Sequence, residues 1–195
     1  ECPDLYPLTA DDGRTLWVYS GAHDMYFVGD FDENGLYQPI QSVGQLSYNS
    51  QSYAAQTYYY EPGKPVIRFA WNRSDIPGAP FNGSMCTPTE MTLKKHGDRY
   101  YLSALPIKST ENLVVKSDKL DDFTLTHCTH ELGSKTCRIS FTVKEGDLTC
   151  NLYGLEMKLD KNGLTCGESI LPRLKNEPMK VDIITDTNSV EIYLN

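Results

Sequence analysis

Turn signals punctuate this chain so often that no long element fits between them. Asp11-Asp12-Gly13, Glu33-Asn34-Gly35, Pro62-Gly63, His96-Gly97-Asp98, Glu145-Gly146-Asp147 and Lys161-Asn162-Gly163 all carry residues that accept tightly bent or left-handed backbone. Between them lie short runs of β-branched and aromatic residues: Thr15-Leu16-Trp17-Val18-Tyr19, Met25-Tyr26-Phe27-Val28-Gly29, Pro65-Val66-Ile67-Arg68-Phe69-Ala70-Trp71 and Arg138-Ile139-Ser140-Phe141-Thr142-Val143. Several alternate with period two, and no window longer than three turns keeps a helical period. The chain is therefore expected to be all-β, as a propeller, a sandwich or a barrel.

At 195 residues the chain is long enough for one large β domain or two small ones. No apolar run approaches the roughly 20 residues of a membrane-spanning helix. A net charge of −8 argues against nucleic acid or an anionic membrane surface as partner, since both call for clustered Lys and Arg. Thirteen Tyr and two Trp offer flat amphipathic rings on which sugars stack, although such residues also simply fill strands. A neutral or cationic ligand fits this balance better, and carbohydrate is one such neutral ligand.

Six cysteines, at positions 2, 86, 128, 137, 150 and 166, include no C-x-x-C pair, which argues against a zinc ribbon. The last four are open to two readings, up to two disulfides or free buried thiols. Asn72-Arg73-Ser74 and Asn82-Gly83-Ser84 are glycosylation sequons and, with the cysteine count, point to an extracellular or secreted protein. His127-x-x-His130 flanks Cys128 without completing a ligand set; no metal and no cofactor are expected. There is no phosphate loop, dinucleotide fingerprint or G-x-S-x-G elbow.

The composition changes near Leu105-Pro106-Ile107-Lys108-Ser109-Thr110-Glu111-Asn112, so residues 1–107 and 113–195 are expected to form two domains joined by 108–112. The first is tyrosine-rich, densest at Tyr58-Tyr59-Tyr60. The second ends in a strand, turn and strand over 181–195.

Four stretches in order resemble glycoside hydrolase family 32, the invertases, levanases and inulinases that cleave β-fructofuranosyl bonds. Glu1-Cys2-Pro3-Asp4 is similar to that family's Glu-Cys-Pro-Asp motif, and Tyr26-Phe27-Val28-Gly29-Asp30-Phe31-Asp32 to its Tyr-x-x-Gly-x-Phe/Tyr-Asp segment. Ser52-Tyr53-Ala54-Ala55-Gln56-Thr57 resembles its Phe/Tyr-Tyr-Ala-x-Gln-Thr segment. Asp186-Thr187-Asn188-Ser189-Val190-Glu191-Ile192-Tyr193-Leu194-Asn195 resembles a strand pair of its accessory domain.

The resemblance implies a five-bladed β-propeller followed by a β-sandwich. Residues 1–107 would be its last two to three blades, and 113–195 most of the sandwich, so that the chain is short at both ends. Glu1 would be the general acid/base, with Cys2 and Asp4 beside it and His23, Asp24 and Tyr53 on the substrate side. The family's nucleophilic Asp, in Trp-Met-Asn-Asp-Pro-Asn-Gly, and the Asp of Arg-Asp-Pro have no counterpart here. One catalytic residue of three is therefore present, and the chain alone is expected not to catalyse. A companion chain or self-association would complete the propeller. Two segments depart from the pattern: Ser47-Tyr48-Asn49-Ser50-Gln51 lacks both acids and the turn glycine of Asp-Tyr/Phe-Gly-x-Asp, and Thr87-Pro88-Thr89-Glu90-Met91 lacks the arginine of Leu-Pro-Arg-Glu-Leu. Most other acids, among them Asp11, Asp12, Asp32 and Glu33, read as solvated turn residues.

Overall fold

The computed structural model describes residues 1–58, 63–120, 129–173 and 178–194. Tyr59, Tyr60, His127, Cys128 and Asn195 lie outside the described residues. The chain is built of short antiparallel strands, as the turn spacing predicts, and forms a partial β-propeller followed by a β-sandwich. No helix among the described residues is long and apolar enough to cross a membrane.

The first propeller blade contains β1 (Asp4–Thr9), β2 (Thr15–Ser20), β3 (Met25–Phe31) and β4 (Tyr37–Pro39), in that spatial order. A short β5 (Gly44–Gln45) pairs with the start of β3. The second blade runs β6 (Ser52–Tyr58), β7 (Val66–Asn72), β9 (Thr89–His96) and β10 (Arg99–Pro106), with β8 (Ser84–Met85) on the far end of β7. Two blades, the lower of the two numbers expected, thus lie between Asp4 and Pro106.

Period-two alternation supplies the face each blade turns to the other. Tyr6 and Leu8 of β1, Leu16 and Val18 of β2, and Tyr26 and Val28 of β3 pack with Val66, Met91, Leu93, Tyr100 and Leu102 of the second blade in one buried cluster. Gly44 is confined to glycine by packing, because a Cβ there would run into the ring of Tyr26. The Tyr26 hydroxyl in turn accepts a hydrogen bond from the Leu102 amide at 3.1 Å, tying the blades together.

Polar groups reinforce this interface at both ends. Asp11 and Asp12 are not simply solvated turn residues: Asp11 accepts the Lys95 amide at 2.8 Å, and Asp12 accepts the Tyr100 hydroxyl at 2.9 Å and pairs with Lys95 at 3.1 Å. Asp32 does fit the turn reading, since its carboxylate accepts the Asn34 and Leu36 amides and the Gln38 side chain. At the other end Asp24, after β2, meets Arg68 of β7 at 2.5 Å. Ser52 of β6 donates to Asp24 at 3.0 Å and accepts from Arg68 at 2.8 Å. The Asp24 and Arg68 side chains are only 3% and 9% exposed.

A 3₁₀ turn over Lys108–Leu113 leads to the sandwich. One sheet there is β11 (Cys137–Val143), β16 (Met179–Thr185) and β17 (Val190–Leu194), and the other is β12 (Leu148–Leu152), β13 (Leu155–Asp160), β14 (Gly163–Cys166) and β15 (Ser169–Pro172). Their inner faces share a second core of Leu152, Met157, Leu159, Leu164, Met179, Val181 and Ile183. Of the two readings of the cysteines, the described ones follow the free-thiol one: Cys137, Cys150 and Cys166 carry no bridge, and neither do Cys2 and Cys86. Cys150 and Cys166 sit on either side of Met157, one strand removed from each other.

The sandwich is latched to the second blade through Glu191 of β17. Its carboxylate accepts the Thr87 amide at 3.0 Å and hydroxyl at 2.8 Å, and the Tyr193 hydroxyl at 2.8 Å. Thr87 lies in the Cys86-Thr87-Pro88 break between β8 and β9. Burial, followed by the nearby Glu191 charge, pushes the Tyr193 phenol far above its ordinary range.

Removing one partner of a buried ion pair leaves an uncompensated charge, so Asp24→Asn is expected to cost about 3–5 kcal/mol. Denaturant midpoints will measure this, and a loss no larger than that of a surface substitution would contradict the bracing role given to Asp24.

Candidate active site

The inner strands of the two blades, β1 and β6, run side by side, and Glu1 and Tyr53 meet at their shared end. Tyr53 reaches Glu1 because β6 bulges: its register against β7 shifts between Tyr53, opposite Trp71, and Gln56, opposite Phe69. A bulge re-aims side chains and bends the strand. Ala54 takes up the irregularity with a φ of 51°, left-handed for a residue that has a Cβ. Cys2, at 45°, and Asp24, at 59°, share this conformation, so three of the four left-handed non-glycine residues described cluster here. Each such residue costs about 1–3 kcal/mol and persists only where its surroundings hold it.

Backbone bonds do that holding. The Ala54 amide donates to the Ala22 carbonyl at 2.9 Å, and the Ala22 amide donates to the Glu1 carbonyl at 3.0 Å. Asp4 fastens β1 to β6, its carboxylate accepting the Thr57 amide at 2.6 Å. Gln56 adds a 3.3 Å bond from its side-chain amide to the Cys2 carbonyl.

On the open surface above this frame, the Tyr53 hydroxyl donates to Glu1 Oε2. That bond holds the Glu1 carboxyl below its ordinary value, helped by the positive α-amino group and, to a lesser degree, by His23. The same partnership raises the Tyr53 phenol, since ionising it would place two negative charges together. The His23 ring stands edge-on to Tyr53 with centroids 4.9 Å apart, and Trp71 meets Tyr53 at 6.4 Å. Glu1, Cys2, His23 and Trp71 are all exposed.

The site residues expected from the sequence therefore divide. Glu1, Cys2, His23 and Tyr53 gather on one surface. Asp4 and Asp24 do not join them: instead of facing a ligand, Asp4 staples the inner strands and Asp24 is sealed beneath Arg68 and Ser52. In both cases the neighbouring blade provides the donors, which buried Asp24 requires and half-buried Asp4 accepts. Among the described residues no cluster of His, Cys, Asp and Glu could hold a metal ion.

Sequence reasoning missed two contributors. Arg73 lies with its guanidinium carbon 4.1 Å from the centre of the Tyr53 ring. Read as the middle of a sequon, it drew no attention, although it follows Trp71 at the two-residue spacing that places side chains on one face. Cys86 is the other. Burial raises its thiol to about 11, with the Glu191 charge adding to the rise and the Arg68 charge opposing it.

Thiolate is the reactive form of cysteine, and a pKa near 11 instead of 9 lowers its population about a hundredfold at mild pH. Iodoacetamide at pH 8 is therefore expected to label exposed Cys2 well ahead of Cys86. Peptide mapping over time will read the two rates, and equal labelling would show that Cys86 is not shielded.

Residues 1–104 match the glycosyl hydrolases family 32 N-terminal domain. A fructan beta-fructosidase of Streptococcus mutans is 29% identical over 139 residues, covering 58% of this chain and 10% of that protein. A levanbiose-producing levanase of Bacillus subtilis is 27% identical over 179 residues, covering 81% of this chain and 33% of that protein. The structure superposes on a fructofuranosidase of Schwanniomyces occidentalis complexed with fructosylnystose with a TM-score of 0.72 at 18% identity, over 99% of this chain and 51% of that one. The chain thus spans about half or less of the length of these proteins. With the family's domain matched over residues 1–104 and the blades and sandwich in place, this chain belongs to glycosyl hydrolase family 32.

Proposed function

We propose that the chain supplies the acid/base part of a retaining glycosidase site for β-fructofuranosyl bonds in sucrose or fructans. The observation that carries this reading is the hydrogen bond from Tyr53 to Glu1 on the open surface where the two blades meet. In a retaining mechanism one carboxyl group protonates the leaving oxygen while a second, roughly 5 Å away, attacks the anomeric carbon. Glu1 takes the first role and, in the second step, accepts a proton from the water that releases the sugar. The nucleophile comes from polypeptide outside these 195 residues.

Electrostatics fit that division of labour. With Tyr53 donating to it, Glu1 is ionised at neutral pH, which suits a base and not a proton donor. A nucleophilic carboxylate brought close would push the Glu1 pKa upward, since two such groups resist ionising together. The 195 residues alone are accordingly a poor catalyst. His23 and Trp71 flank the Tyr53 ring with flat surfaces suited to a sugar ring. Export from the cell belongs to the same reading and draws support from Asn82, the acceptor residue of its sequon, which is exposed.

A second reading, a non-catalytic module that binds carbohydrate or associates through its open blade, draws on the face of the first blade turned away from the core. Leu5, Tyr19 and Phe27 lie in register across three strands there, all at least 36% exposed. Beside them Trp17, Phe31 and Tyr37 stack edge to face with centroids 5.5 and 5.7 Å apart. Apolar faces of this kind are normally covered, here by another blade or another copy.

Joined to the remaining propeller blades of a family 32 levanase, the chain is expected to release fructose from levan, inulin or sucrose with retention of anomeric configuration, read by proton NMR. Glu1→Gln should then lower kcat by about 10²–10⁴-fold. Fructose release unaffected by that substitution would remove Glu1 from the acid/base role. The second reading gains instead if the completed protein binds fructans calorimetrically but cleaves none.

A further inference from the structure

The segment Ser47-Tyr48-Asn49-Ser50-Gln51, which departs from the family pattern, is rebuilt around an arginine. The Asn49 side chain closes it locally, accepting the Gln51 and Ser52 amides at 2.8 Å each. Arg73 then anchors it from outside: its amide donates to the Gln51 carbonyl at 2.9 Å, and its Nη2 donates to the Ser50 carbonyl, also at 2.9 Å. With both ends of the residue committed, the guanidinium lies against the Tyr53 ring, 4.1 Å from its centre. An exposed arginine rarely loses this much freedom without several partners at once.

We propose that Arg73 is a positioning residue for the acid/base group, acting through Tyr53: its planar face fixes the phenol ring at the angle from which the hydroxyl reaches Glu1. The proposal rests on the acid/base reading of Glu1 and deepens it.

The geometry leaves Tyr53 few other supports. Ala54, next in the chain, is left-handed, so the backbone here is not a regular ladder. His23 and Trp71 touch the ring at its edges, whereas Arg73 covers a face. Planarity is central to this contact, because a guanidinium can stack on the ring while its in-plane N–H groups bond Ser50. An ammonium carries the same charge without a stacking face. The cation also favours electron withdrawal from the phenol, which strengthens Tyr53 as a donor to a carboxylate.

Glu1 itself reports on this arrangement. The charged or titratable groups near it are Tyr53 from β6, His23 from the turn after β2, the Cys2 thiol, the α-amino group and, behind the Tyr53 ring, Arg73. Only the last of these is altered by an Arg73 substitution. The α-amino group is common to every variant.

The test is a carbon NMR titration of the Glu1 carboxyl in the 195-residue chain, with far-UV circular dichroism confirming that each variant is folded. Arg73→Met is expected to move the Glu1 midpoint upward, toward that of Tyr53→Phe. In the Tyr53→Phe background, Arg73→Met should add no further shift. Arg73→Lys should recover only part of the original midpoint. An unchanged midpoint in Arg73→Met would overturn the proposal. So would a shift of equal size without the Tyr53 hydroxyl, which would mean a direct field effect, and so would full recovery by lysine, which would mean that charge suffices without stacking. None of these readings depends on fructose release, so failure of the glycosidase assignment would be seen separately.

Discussion

The ion pair between Asp24 and Arg68 is where one blade commits to the other. Charges this deeply placed are tolerable because Arg68 Nη2 meets the Asp24 carboxylate and Ser52 bonds to both. The apolar cluster between the blades supplies most of the attraction, but it is non-directional and would accept small slips of one sheet over the other. The ion pair would not accept them. It fixes the turn after β2 against β6 and β7, and that turn carries His23 and receives the Glu1 carbonyl. The surface that carries Glu1 and Tyr53 is thus positioned by charges that never reach it.

The sandwich contributes to the same frame from the opposite side. Glu191 grips Thr87 in the break between β8 and β9, where β7 loses one partner and gains the next. Cys86, half-buried in that break, lies close to the Asp24–Arg68 pair. The second domain thereby closes a gap in the ladder of the blade that carries Tyr53, and its strand pair has a task beyond burying its own core.

Much of the fold was legible because its causes are local. The spacing of Asp-Gly and Asn-Gly turns limits strand length, and alternation in Thr15-Leu16-Trp17-Val18-Tyr19 assigns Leu16 and Val18 to the core without reference to anything distant. The convergence of Glu1 and Tyr53 was legible only by resemblance, since 52 positions of sequence separate them. The roles of Asp4, Asp24, Asp11 and Asp12 were not legible. A carboxylate beside a turn looks the same in sequence whether it faces water or the amides of the next blade. What decides the matter is the tertiary partner, Thr57 for Asp4 and Arg68 for Asp24, and neither pairing leaves a mark in local composition. Arg73 was hidden for the same reason, its two carbonyl partners lying on a loop more than twenty residues earlier.

The relay from the Ala54 amide to the Ala22 carbonyl, and from the Ala22 amide to the Glu1 carbonyl, uses main-chain atoms throughout. Side chains at these positions can therefore change without moving the acid, provided that the left-handed turn at position 54 is kept. This separates the site's location from its decoration. The side chains around this surface, those of the 47–51 segment among them, can differ while Glu1 keeps its place. Main-chain bonds set the frame, and side chains set the rim.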